Sequence, residues 1–195
     1  MKNILVAYST QNGSTKDVAN AVGEELAQAG ARADVARMES VTDVDRFSGV
    51  VIGAPVMLGW RPATTRFIAR HLPSLQRKPI AFFMTAMRLT RFDEPACHGV
   101  PLYFDPQLQC MPRNPRRLSL PERLTTPSHY LNPVLRRCPG VIPVGVDFFG
   151  GKLDLRRLQP VQRLLVWLFL KTPPDDKRNW RAIRSWAADI RKALS

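Results

Sequence analysis

Between an apolar run at residues 4–8 and the first helical pattern lies Tyr8-Ser-Thr-Gln-Asn-Gly-Ser-Thr15. In it Ser9, Thr10, Gln11, Asn12, Ser14 and Thr15 surround one glycine, Gly13. Side chains of these types make short, neutral hydrogen bonds. A helix beginning near Ser14 adds unpaired backbone N–H groups and the positive end of its dipole. Gly13 lets the backbone turn tightly, and such a nest holds a phosphate without a cationic clamp. The loop lacks the Gly-Lys-Ser/Thr ending of a nucleoside-triphosphate loop and the three glycines that admit a pyrophosphate. Its spacing suits a monophosphate; the alternative is an ordinary capped turn.

Four short apolar runs, at 4–8, 50–52, 80–84 and 141–146, with a weaker fifth at 33–38, are too short for helices. They do not alternate, which predicts strands buried on both faces of a parallel sheet. Helical patterns lie between them. Residues 15–29 place Val18, Val22, Leu26 and Ala29 on one stripe, with Gly30 as the stop. A shorter helix is expected over 63–72, with Pro62 in its first turn and Pro73 ending it. Asn179 caps a last helix bearing Trp180, Ile183, Ala187, Ile190 and Leu194 on one face. Strand alternating with helix gives an α/β, doubly wound chain. Residues 91–140 break that rhythm. They hold nine of the 17 prolines, which leaves little room for regular structure beyond a helix near 128–137. The expectation is one domain over 1–195 with a Pro- and Arg-rich insertion at 91–140.

Composition narrows the partners. The 195 residues carry 29 Lys+Arg and 16 Asp+Glu, a net charge of +13, and 45% are hydrophobic, too many for a disordered chain. Residues 1–60 hold five basic and seven acidic groups, whereas 61–195 hold twenty-four and nine. A basic two-thirds suits nucleic acid, an anionic membrane face or an acidic protein. No recognition helix or aromatic platform points to specific nucleic-acid binding. Cys97, Cys110 and Cys138, with His98 and His129, have no zinc-ligand spacing, so no metal site is expected. His71 is expected at a helix end, where a cation is favoured. No run approaches the length of a bilayer span, and the first residues have no small-residue cleavage site; the expected location is a reducing cytoplasm.

The phosphate loop resembles that of the flavodoxin superfamily, a Ser/Thr-rich turn closing in Gly-x-Thr. Two further stretches agree. Val50-Val-Ile-Gly-Ala-Pro-Val-Met-Leu-Gly-Trp60 looks like the third strand and the loop beside a flavin ring; Ile80-Ala-Phe-Phe-Met-Thr-Ala-Met-Arg88 looks like the fourth strand and the loop on the ring's other side. In detail the chain is similar to the menaquinone-dependent protoporphyrinogen oxidase branch. That branch shares a basic balance and an apolar, basic-flanked segment before the last helix, here Arg156 to Lys171.

The resemblance implies a five-stranded flavodoxin-like sheet in the order 2-1-3-4-5, with the insertion between strands 4 and 5. It implies FMN, its phosphate on Ser9, Thr10, Gln11, Asn12, Gly13, Ser14 and Thr15. Pro55, Val56 and Met57 would flank the ring on one side, and Thr85, Ala86, Met87 and Arg88 on the other. No clear counterpart of the family's ring-stacking Tyr follows Thr85; Phe92 and Trp60 are the candidates. The expected activity is a dehydrogenase passing electrons from a reduced substrate to a quinone, with no catalytic residue identifiable. A basic carrier moving electrons between proteins, or a domain without flavin, are the alternatives. Arg88, Arg91, Arg113, Arg116, Arg117, Arg136 and Arg137 would draw an anionic substrate or serve as solvated loop charges. Residues 156–171 would lie on an anionic membrane face as a peripheral contact, or form a core helix or a homodimer face.

Overall fold

The computed structural model describes residues 3–10, 13–28, 30–56, 62–90, 96, 97, 99–152 and 175–194. Strands β1 (Asn3–Tyr8), β2 (Arg32–Arg37), β3 (Gly49–Pro55), β4 (Ile80–Ala86), β6 (Ala96–Cys97), β7 (Val100–Phe104) and β9 (Gly145–Gly150) form one sheet, in the order β2-β1-β3-β4-β9-β7-β6. Every pairing is parallel except β6 with β7. The order β2-β1-β3-β4-β9 is the expected 2-1-3-4-5 arrangement. Within the insertion, β7 adds a strand outside β9 and β6 adds another, so the sheet has seven strands rather than five.

Helices cover both faces, which is why the strands lack polar alternation. Leu5, Ile52, Phe82, Met84, Val146 and Phe148 face α2 (Pro62–Leu75) and α4 (Pro127–Leu135). Ile4, Val6, Val51, Phe83 and Phe149 face α1 (Ser14–Ala27) and α5 (Trp180–Arg191). Helix α1 ends as expected before Gly30, at φ 79°. Asn179 caps α5 by accepting the Ala182 amide at 3.2 Å.

Three local expectations change. The apolar run 141–146 is mostly approach loop, and the strand begins only at Gly145. Helix α2 continues through Pro73 to Leu75, which moves His71 from a helix end to a buried position. Desolvation lowers the pKa of His71, so the ring is neutral rather than a cation at the helix terminus. The insertion is also far from structureless, because its prolines occupy positions that tolerate them. Pro106, Pro121 and Pro127 open a 3₁₀ turn (Pro106–Leu108), helix α3 (Leu120–Arg123) and α4, where the missing N–H would have had no helical partner.

The join between β7 and β9 buries two acids. Asp105 and Asp147 are 2% and 5% exposed. Asp105 Oδ1 accepts the Gln107 amide at 3.0 Å and the Asn179 side-chain amide at 3.2 Å, while its Oδ2 is buried without a partner among the described residues. Burial pushes the Asp147 carboxyl up to about 8, and the Asp105 charge adds to the rise.

Gly150 closes β9 against the backbone ahead of α5. A Cβ there would collide with the Lys177 carbonyl group, which is main chain and cannot rotate aside. Gly150→Ala is expected to destabilise the fold by about 3 kcal/mol, the upper end for overpacking. Chemical denaturation with an unchanged midpoint would show that this backbone yields freely.

Candidate functional site

The sheet's parallel order brings the C-terminal ends of β1, β3, β4 and β9 together at one edge, where ligands of open α/β sheets bind. The β1–α1 turn lies at that edge. Gly13 is the N-cap of α1 at φ 87°, a left-handed conformation that favours glycine, and among the described residues no side chain caps the helix. The amides of Ser14, Thr15 and Lys16 therefore lack intrahelical acceptors.

The surrounding hydroxyls are anchored without being exhausted. Thr10 Oγ1 accepts the Gly13 amide at 3.0 Å, and Ser14 Oγ accepts the Lys152 amide at 2.8 Å. Each of these two oxygens keeps its own proton to donate. Ser9 shares a buried hydrogen bond of 2.9 Å with Thr64 on α2, and Thr15 one of 2.9 Å with Thr85 at the end of β4. In each pair one hydroxyl proton is used within the pair, and the other has no acceptor among the described residues. Donors converging on an uncharged turn at a helix start fit a phosphate monoester, with the dipole supplying the favourable field.

Two loops flank this turn. Pro55 is half-buried and Val56 fully buried, and the Val56 amide donates to the Thr85 carbonyl at 3.0 Å. Thr85, Ala86 and Met87 are buried, and the Gly151 amide donates to the Ala86 carbonyl at 2.8 Å. The strand ends that would border a ring are thus tied to each other and to the residue after β9. Arg88 is half-buried, its Nε enclosed and without a partner among the described residues. Its positive charge lies near enough to Glu122 of α3 and Tyr130 of α4 to favour their ionised forms slightly.

The insertion folds onto that same loop. Strand β5 (Leu89–Thr90), directly after Arg88, pairs in parallel with β8 (Gln109–Cys110). The Thr90 amide donates to the Thr125 carbonyl at 2.8 Å, and the two threonine hydroxyls share a bond of 2.9 Å. Leu89 and Thr90 are fully buried as a result.

The structure therefore brings Ser9, Thr10, Gly13, Ser14 and Thr15 together with Thr85, Ala86 and Met87. Gln11, Asn12, Met57, Trp60, Phe92 and the segment 156–171 lie outside the described residues. Sequence reasoning missed Thr64, Lys152 and Thr125. Each is remote in the chain from the loop it bonds, and a threonine on a helix carries no signal of a partner fifty-five positions away. No group of three or more metal-ligating side chains occurs among the described residues. Cys138 is buried, its thiol pushed up to about 11 by desolvation, which leaves it unreactive at neutral pH.

A parallel sheet covered by helices on both faces, with a hydroxyl-rich turn at its carboxyl edge, defines a doubly wound α/β protein of the kind whose ligands bind at that edge. A model of the flavodoxin domain family matches residues 5–179, and the chain belongs to that family. FMN is the cofactor this membership implies, and the donor set around Gly13 fits its phosphate. The chain is 32% identical over 82 residues to protoporphyrinogen IX dehydrogenase [quinone] of Escherichia coli K12. That stretch is 40% of this chain and spans less than half of the relative, 45%. Among solved structures, an archaeal flavodoxin aligns with a TM-score of 0.54 at 10% identity, covering 98% of both chains. Two-electron reduced Megasphaera elsdenii flavodoxin aligns at 0.51 and 14% identity, covering 95% of this chain and 98% of that one. These likenesses show the fold.

Proposed function

We propose that this flavodoxin-domain protein is an FMN-dependent oxidoreductase that passes electrons from a reduced, carboxylate-bearing substrate to a quinone. Protoporphyrinogen is the leading substrate, after the name of the Escherichia coli relative. The observation that carries the reading is the insertion locked onto the loop after β4 through Thr90, Thr125 and the β5–β8 pair. A carrier needs its ring edge open to protein partners, whereas an enzyme needs cover that shapes a pocket and sheds water. A net charge of +13 also favours an anionic substrate.

When bound, FMN supplies the electron-accepting ring; the chain supplies position and field. Ser9, Thr10, Ser14 and Thr15 would grip the phosphate. Val56, Ala86 and Met87, held by backbone bonds between the strand ends, would present apolar walls to the ring. Arg88, with Glu122 and Tyr130 behind it, would carry positive charge between the ring-side loop and the substrate cover.

The test is anaerobic titration of the FMN-loaded protein with protoporphyrinogen, followed by a water-soluble menaquinone analogue. The expected result is bleaching of the flavin band by the first and its recovery with the second. Flavin that stays oxidised with the porphyrinogen would overturn the enzyme reading. The alternative reading, an electron carrier, has the family membership in its favour. It predicts rapid electron exchange with redox proteins and no turnover of small substrates.

A further inference from the structure

Residues 111–123 of the insertion carry Arg113, Arg116, Arg117 and Arg123, all exposed, and a single acid, Glu122. Glu122 is buried, and its carboxylate is spent inside the loop. Oε1 accepts the Arg113 amide at 2.9 Å, while Oε2 accepts the Ser119 amide at 2.7 Å and the Ser119 hydroxyl at 2.6 Å. The Ser119 hydroxyl above all, then the two amides, holds this carboxyl at about 2, so the clamp stays ionised at physiological pH. One side chain thereby staples both ends of residues 113–119 and fixes their arginines on a preformed knob. None of the four makes an ion pair among the described residues.

Two large apolar side chains sit just outside the staple. Met111 is 75% exposed and Leu120 is 63% exposed. Arginines alone would suit any polyanion. Arginines on a fixed loop flanked by bare apolar side chains suit a surface with anionic heads above hydrocarbon. Met111 also directly follows β8, the strand paired with β5 beyond the ring-side loop.

We propose that residues 111–123 are a docking surface for an anionic lipid bilayer. Arg113, Arg116, Arg117 and Arg123 engage the headgroups, and Met111 and Leu120 enter the acyl boundary. The lipid contact does not rest on the quinone reading.

The experiment is co-sedimentation of the FMN-loaded full chain with vesicles of equal phosphatidylglycerol and phosphatidylcholine, against vesicles of phosphatidylcholine alone. Binding is expected to the anionic vesicles at low salt and to be at least tenfold weaker to the neutral ones. Replacing all four arginines by Gln should weaken anionic-vesicle binding on the order of a hundredfold, with the flavin spectrum reporting an intact fold. Should that variant not fold, the milder R116Q/R117Q pair should weaken it on the order of tenfold. M111S/L120S should leave weaker binding that moderate salt abolishes. The proposal is overturned if the parent protein stays in the supernatant or binds both vesicles equally. It is equally overturned if the arginine variants bind like the parent, which would put the contact elsewhere, or if M111S/L120S changes nothing, which would point to an acidic protein. Sedimentation requires no turnover, so a failure of quinone reduction leaves this result standing, and the converse holds.

Discussion

Ser14→Glu should weaken FMN binding by about a hundredfold, about 2.7 kcal/mol, while leaving riboflavin binding and thermal stability nearly unchanged. Ser14 opens α1, where an acidic side chain suits the helix dipole, which offsets the Lys152 amide bond that Ser14 Oγ gives up. The same position lies at the turn where the phosphate is to be held. Two like charges about 5 Å apart at a protein surface repel by about 3 kcal/mol, and a phosphate dianion feels more. Riboflavin has no phosphate and escapes the penalty. Fluorescence titration with both ligands reads the difference. Equal losses for the two would mean that the ring, and not the phosphate, senses residue 14. Equal affinities to the parent would remove the β1–α1 turn as the phosphate site.

Asp147→Asn should raise stability at pH 8 and flatten the pH dependence between about pH 4 and pH 8. The sign follows from linkage. The buried Asp147 carboxyl titrates near 8 in the folded chain and near an ordinary ~3.9 when unfolded. Between those values the folded state holds the extra proton, so this group's contribution to stability falls as pH rises through that window and levels off above it. The full swing is several kcal/mol, reduced by whatever water reaches the site after relaxation. Asn keeps an oxygen to accept the Phe148 amide, now 2.6 Å from Asp147 Oδ1, and has nothing to ionise. His71 works in the opposite direction, since its lowered pKa costs stability as pH falls below about 6.5. Subtracting the variant's profile from the parent's isolates Asp147. Parallel profiles would show that the carboxyl is already ionised and paired in the folded protein.

Much of the site was legible because it is local. The strand at Asn3–Tyr8, the hydroxyl-rich turn and the helix from Ser14 follow one another without interruption, so residue types and spacing carry the chemistry. The stop at Gly30 and the cap at Asn179 were legible for the same reason: each concerns backbone groups within three or four residues. The insertion is more ordered than its proline density implies, because proline is unfavourable in a helix interior but not at a helix start, as Pro62 shows for α2. Pro106, Pro121 and Pro127 likewise begin elements, and only the placement of Asp105, Ser119 and Thr126 ahead of them as caps reveals it. His71 lies inside a helix and not at its end because α2 runs on through Pro73, its last turns supported by packing of Phe67, Ile68 and Leu75.

Sequence by itself determined the layered α/β class, the order β2-β1-β3-β4-β9 through its resemblance, and the hydroxyl-rich turn proposed to hold a phosphate. These depend on periodicities and caps that act over a few residues. Tertiary structure alone decided that β7 extends the sheet beside β9, that Thr64, Thr85 and Thr125 meet hydroxyls far away in the chain, and that Glu122 staples an arginine loop. Such pairings form only when burial removes water from both partners. No residue type states in advance which distant group it will be left to satisfy.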